Sequence, residues 1–163
     1  MSSEKGFTHL TNDGEMHMVD VGAKPSTDRV AVAEGFVSLP DDLVDRFFAG
    51  DLPKGDAAAA ARIAGITGAK KTADLIPLCH PISLSGVQVS LERGGHGIRI
   101  VATVSTTGQT GVEMEAMTAV STAALTIYDM VKGIERGATI EFVRLLRKDG
   151  GRTGEWVRPE VVE

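Results

Sequence analysis

The stretch TGVEMEAMTAVSTAALTIYDMVK, residues 110–132, reads as the longest uninterrupted helix in the chain. Thr110 is expected as its N-cap, with Glu113 three positions on to close a capping box. A period of 3.6 puts Ala116, Met117, Val120, Ala124, Ile127 and Val131 on one apolar face. Glu115, Thr118, Thr122 and Asp129 fall on another side, and Lys132 lies one turn beyond Asp129. Ala116, Ala119, Ser121, Ala123 and Ala124 keep the helix slim, so other backbones can approach it closely. Its polar positions are few and spaced. They read either as a surface i,i+3 ion pair or as an acid–base pair facing a substrate.

Working outward, Gly137 stops this helix and residues 139–147 follow as a strand. Upstream, residues 82–93 and 97–107 alternate apolar and polar side chains, and Gly94-Gly95-His96-Gly97 is the hairpin between them. Residues 29–39 (RVAVAEGFVSL) alternate in the same way and give the first strand. A short helix is expected over 41–50, with Leu43, Val44, Phe47 and Phe48 as its stripe. Asp56 should cap the Ala-rich helix that follows it. Residues 72–81 (TADLIPLCHP) read as a stiff loop, because Pro77 and Pro81 restrict their own backbones and those before them. Merging the two adjacent helices gives βαββαβ. The expected fold is therefore α+β and ferredoxin-like: a four-stranded antiparallel sheet, order 4-1-3-2, with the helices on one face.

One domain, residues 1–163, is expected, with a flexible N-terminus over 1–15 and a flexible Gly-rich tail over 148–163. No run near 18 apolar residues and no signal pattern occurs, which points away from a membrane and toward the cytoplasm. A single cysteine, Cys79, excludes an internal disulfide and suits a reducing compartment. Net charge of -5 with one Trp and one Tyr argues against a nucleic-acid partner. The charge is uneven: residues 1–53 sum to -6 and 54–163 to +1, so an anionic ligand should find most of its cations from Lys54 onward.

The familiar phosphate loops and the hydrolase elbow are absent. Four histidines (His9, His17, His80, His96) and one cysteine show no paired spacing, so no metal is expected. Cys79 next to His80 does not make a nucleophile–base pair, since neighbouring side chains in an extended loop diverge. Lys54 just before the N-cap of a helix is either an anion contact or an ordinary surface lysine.

A set of motifs adds to this. Met16-His17-Met18-Val19-Asp20, Lys54-Gly55-Asp56, Ala61-Arg62-Ile63-Ala64-Gly65-Ile66, Asp74-Leu75-Ile76-Pro77-Leu78-Cys79-His80-Pro81, Thr110-Gly111-Val112-Glu113-Met114-Glu115-Ala116 and Ala124-Leu125-Thr126-Ile127-Tyr128-Asp129-Met130 occur in this order. Together they resemble the molybdenum-cofactor accessory protein C family (MoaC), the cyclic pyranopterin monophosphate synthases. The motifs run from about residue 16 to 154.

The resemblance implies a lyase that converts (8S)-3′,8-cyclo-7,8-dihydroguanosine 5′-triphosphate to cyclic pyranopterin monophosphate and diphosphate, in molybdopterin synthesis. It implies no cofactor, and a hexamer built as a trimer of dimers with each site at a dimer interface. The implied catalytic residues are Asp129, Lys54 and Lys132. Implied substrate contacts are Leu78, Cys79, His80, Glu113, Met114 and Glu115, with Arg29, His17, Lys148 and Arg152 as phosphate or guanine contacts. Two other classes compete: a phosphohydrolase or cyclohydrolase on a purine nucleotide, and a non-catalytic nucleotide-binding module. The first would normally carry a metal-ligand set; the second would leave Asp129 and Lys132 as a surface ion pair.

Overall fold

The computed structural model describes residues 13–159. Its central strand is β1 (Thr27–Ser38), whose inward residues Ala31, Ala33 and Val37 are buried. β1 pairs antiparallel with β3 (Gly97–Gly108) on one side and with β4 (Thr139–Asp149) on the other. β2 (Gly86–Gly94) forms the hairpin with β3, and β3 presents Ile98, Ile100, Ala102 and Val104 to the same side as β1. At about 1.5–3 kcal/mol for each large apolar side chain removed from water, this layer is a main source of stability.

Three helices besides a single-turn one pack on that face. α1 (Asp41–Ala49) buries Leu43, Val44 and Phe47 and ends at Gly50 in the left-handed region, φ 71°. α2 (Ala57–Lys70) is capped as expected: the Asp56 carboxylate accepts from the Ala59 N–H at 2.9 Å. α4 (Glu113–Val131) lies across β1, β3 and β4 and along α2. Its contact with α2 is close enough that a Cβ on Gly68 would stand 2.1 Å from the Thr122 hydroxyl oxygen. The slim residues of both helices make this approach possible.

Several expectations are corrected. The sheet has five strands, order β2-β3-β1-β4-β5, rather than four. The first four keep the expected order; β5 (Trp156–Val157) is added on the outer edge of β4, opposite Lys148 and Arg147. Residues 156 and 157, within the Gly-rich stretch from residue 148, thus pair with β4. The Lys148 ammonium donates to the Thr153 hydroxyl and the Gly154 carbonyl, and Arg158 donates from Nε to Leu145 O at 2.8 Å. These contacts offset the ordering entropy that glycines alone could not.

The loop expected from residue 72 begins with a helical turn, α3 (Thr72–Leu75), because the buried Thr72 hydroxyl donates to Ala69 O at 3.0 Å. The capping box at residue 110 does not form. α4 starts after Val112, whose buried side chain anchors the chain entry with no side-chain cap, and the Glu113 carboxylate folds back against Gly111. The strand expected from residue 82 begins at Gly86. Residues 1–12, most of the N-terminus expected to be flexible, lie outside the described residues.

Candidate active site

The last turn of α4 carries Asp129, with Lys132 as the residue that caps the helix. Their i,i+3 spacing brings Lys132 Nζ to 2.7 Å from Asp129 Oδ1. The loop between α1 and α2 delivers Lys54 to the same carboxylate: Lys54 Nζ is 2.7 Å from Asp129 Oδ2 and also donates to the Asp129 backbone carbonyl at 2.7 Å. Gly55, at φ 94°, turns the chain just after Lys54. The side chains are about half exposed, 46% for Lys54 and 52% each for Asp129 and Lys132. The trio is therefore open to a ligand rather than sealed in the core.

Hydrogen bonds from Lys132 and then Lys54 hold the Asp129 carboxyl down to about 2. The same contact pushes the Lys132 ammonium up. At neutral pH the cluster is thus an ionised carboxylate between two lysines. The ammoniums are its proton donors, and Asp129 orients them.

At the other end of α4 lies a cleft of about 300 Å³. The loop between α3 and β2 lines it with Leu78, Cys79, His80 and Ile82, the segment before β1 with Val19, Val21 and Lys24, and the start of α4 with Glu113, Met114 and Glu115. Pro77 and Pro81 fix the loop backbone, and the Cys79 N–H donates to Ile76 O at 3.1 Å. His80 Nε2 stands 2.7 Å from Val19 O, which ties the loop to the segment before β1.

Glu115 was expected on a polar side of the helix, yet it is 3% exposed. Its Oε2 has no hydrogen-bond partner among the described residues. Burial, with some help from the charge of Glu113, pushes its carboxyl up to about 7. Burial and the neighbouring Glu115 likewise push the Cys79 thiol up, so Cys79 is poorly disposed as a thiolate nucleophile.

A second hollow of about 620 Å³ adjoins the first, sharing Lys24, Thr110 and Gly111 with it. Arg29 and Arg152 line it, so three cations face one space. Arg29 Nε donates to Gly108 O at 3.0 Å, and its guanidinium packs beneath Gly151, where a Cβ would meet Nη1 at 2.3 Å. Gly151 also sits at φ 75°, so only glycine suits the position.

The candidates thus fall into two groups. Asp129, Lys54 and Lys132 meet at the C-terminal end of α4; Leu78, Cys79, His80, Glu113, Met114, Glu115, Arg29 and Arg152 gather at its N-terminal end. Glu115 and Asp129 are separated by about 21 Å along the helix axis, at about 1.5 Å per residue. Lys148 lines neither hollow, because its ammonium is engaged within the tail turn. His17 lines neither as well, and its buried Nδ1 has no partner among the described residues.

Lys24 is the residue that sequence reasoning missed. The available signal was that it is the lone cation in residues 13–28, set just before Pro25. Among the described residues no group of three or more His, Cys, Asp or Glu side chains could hold a metal ion. None of their helices is long and apolar enough to cross a membrane.

The model of the MoaC family matches residues 18–151. A cyclic pyranopterin monophosphate synthase of Corynebacterium efficiens is 58% identical over 150 residues, 92% of this chain and 97% of that protein. Proteins of the same name are similar at 56% in Roseiflexus castenholzii, over 93% of this chain and 97% of theirs, and at 52% in Novosphingobium aromaticivorans, over 94% and 98%.

Proposed function

The chain belongs to the MoaC family, and on that premise we propose that it is a cyclic pyranopterin monophosphate synthase. The reaction takes (8S)-3′,8-cyclo-7,8-dihydroguanosine 5′-triphosphate to cyclic pyranopterin monophosphate and diphosphate, a step of molybdenum-cofactor synthesis, and makes the enzyme a phosphorus–oxygen lyase. The observation that carries the chemistry is the Asp129 carboxylate gripped by Lys54 and Lys132 at 2.7 Å each.

Forming the product requires protons to move among ring nitrogens and sugar oxygens, and a hydroxyl to attack the α-phosphorus as diphosphate leaves. Two ammoniums oriented by one ionised carboxylate can donate protons to the opening ring and neutralise charge gathering on the phosphates. Lys24, Arg29 and Arg152 around the larger hollow suit the remaining phosphates. The smaller cleft, with its unpartnered buried carboxylate, suits the N–H donors of a guanine-derived ring.

One substrate cannot touch both groups within one chain, because they stand about 21 Å apart along α4. The reading therefore includes a composite site: the lysine–aspartate trio of one copy completes the cleft of a second. A hexamer built as a trimer of dimers in the cytoplasm accords with this, as does a single ferredoxin-like domain carrying β5 as an appended edge strand.

The test is direct. Purified protein incubated with the cyclised triphosphate should release one diphosphate for each cyclic-phosphate product formed. A product lacking the cyclic phosphate would make the protein a hydrolase, and tight binding without turnover would make it a binding module.

A further inference from the structure

Resting on the reaction assigned above, we propose that His80 is a proton acceptor of the smaller cleft, held by the Val19 backbone carbonyl in the tautomer that leaves Nδ1 bare. The bond between His80 Nε2 and Val19 O is 2.7 Å. A carbonyl oxygen only accepts, so Nε2 must carry the hydrogen. In a neutral imidazole the other nitrogen is then the lone-pair acceptor. His80 Nδ1 makes no hydrogen bond among the described residues and is not sealed in the interior. The ring lines the cleft beside Cys79, facing Glu113 and Glu115 from α4 and Lys24 from the segment before β1.

The chemistry needs such a group. Asp129, held ionised down to about 2, is a weak base, and both lysines are engaged by it at 2.7 Å. Glu115 lines the same cleft, but its unpartnered Oε2 is buried, whereas His80 Nδ1 is not sealed in the interior. His80 completes the set. A ring N–H or a hydroxyl of the substrate passes its proton to Nδ1, and the electron pair stays on the substrate atom. The imidazolium formed keeps its Nε2–H bond to Val19 and returns the proton to water after product leaves. The segment before β1 acts here through its backbone.

The decisive measurement is nitrogen-15 NMR of histidine-labelled, otherwise unaltered protein. Neutral His80 should carry its hydrogen on Nε2, and its Nδ1 signal should be the one that moves on protonation. His80→Gln keeps an amide N–H for the Val19 carbonyl but has no base. It should lower kcat roughly 100-fold, the ordinary size for a lost general base, while KM changes less than about threefold. A neutral His80 protonated on Nδ1, or a His80→Gln enzyme with wild-type kcat, overturns the inference. Wild-type protein that releases no diphosphate sinks the reaction itself, whereas the tautomer decides the lock on His80 independently of turnover.

Discussion

Glu115→Gln separates the cost of the cleft from its use. The wild-type carboxyl sits at about 7 in the folded protein against an ordinary 4.5, and burial is the main cause. The folded state therefore binds this proton more tightly than the unfolded chain does. The stability linked to it is fully present below about pH 4.5, falls as pH rises toward 7, and is flat above. At about 1.4 kcal/mol for each tenfold in proton affinity, the full loss is on the order of 3 kcal/mol. Glutamine has nearly the same shape and never ionises. The variant should thus be more stable than wild type by about 2–3 kcal/mol at pH 8, and by less than about 1 kcal/mol at pH 5.

Urea unfolding at both pH values, at one protein concentration, measures this. The same variant should lose most of its turnover, because an amide offers a substrate N–H donor only one acceptor atom where the carboxylate offers two. Gains of equal size at pH 5 and pH 8 would refute the reasoning, since they would mean that Glu115 is not held protonated by burial. A wild-type stability that rises between pH 5 and pH 8 by this residue's contribution would refute it from the other side.

Asp129→Asn and Lys132→Ala should each lower turnover roughly 100-fold or more with far-UV CD and melting nearly unchanged, because both side chains are half exposed; activity that falls only with the folded fraction would make the pair structural. Mixing inactive Asp129→Asn chains with inactive His80→Gln chains should restore part of the activity, since each lesion then sits in a different half-site. Mixing Lys54→Ala with Asp129→Asn should restore none, because those residues meet within one chain and every copy then carries a damaged trio; absence of rescue in the first mixture ends the composite site. A chain ending at residue 149 loses β5, Arg152 and the Arg158 bonds to Leu145 and Leu146. It should lose about 1–3 kcal/mol of stability, at about 1 kcal/mol for each lost hydrogen bond, melt at a lower temperature and bind diphosphate more weakly; unchanged melting and binding would return the tail to an inert end.

The fold was legible wherever a period repeated. Alternation in β1, β2, β3 and β4 and the 3.6 pattern of α4 located these elements, and the βαββαβ succession they form led to the order of the first four strands. β5 was not legible, since two residues carry no period, and what holds them is the reach of Lys148 and Arg158 across a glycine turn. The Asp129–Lys132 pair could be read from helical spacing, whereas Lys54 reached them through the family resemblance, 75 positions away in sequence.

Glu115 marks where sequence reasoning fails for a physical reason. A helical wheel gives a direction around one helix but not what lies against it, and at Glu115 the proline-bounded loop and the segment before β1 close over the carboxylate. The same closure gives His80 its partner in Val19, 61 positions earlier in the chain. Both the acceptor that is costly to bury and the acceptor fixed in one tautomer are thus products of a single packing event at the start of α4. They should be gained or lost together: a change that detaches the segment before β1 would let water reach Glu115, lower its carboxyl toward 4.5, and free His80 to exchange its hydrogen between nitrogens.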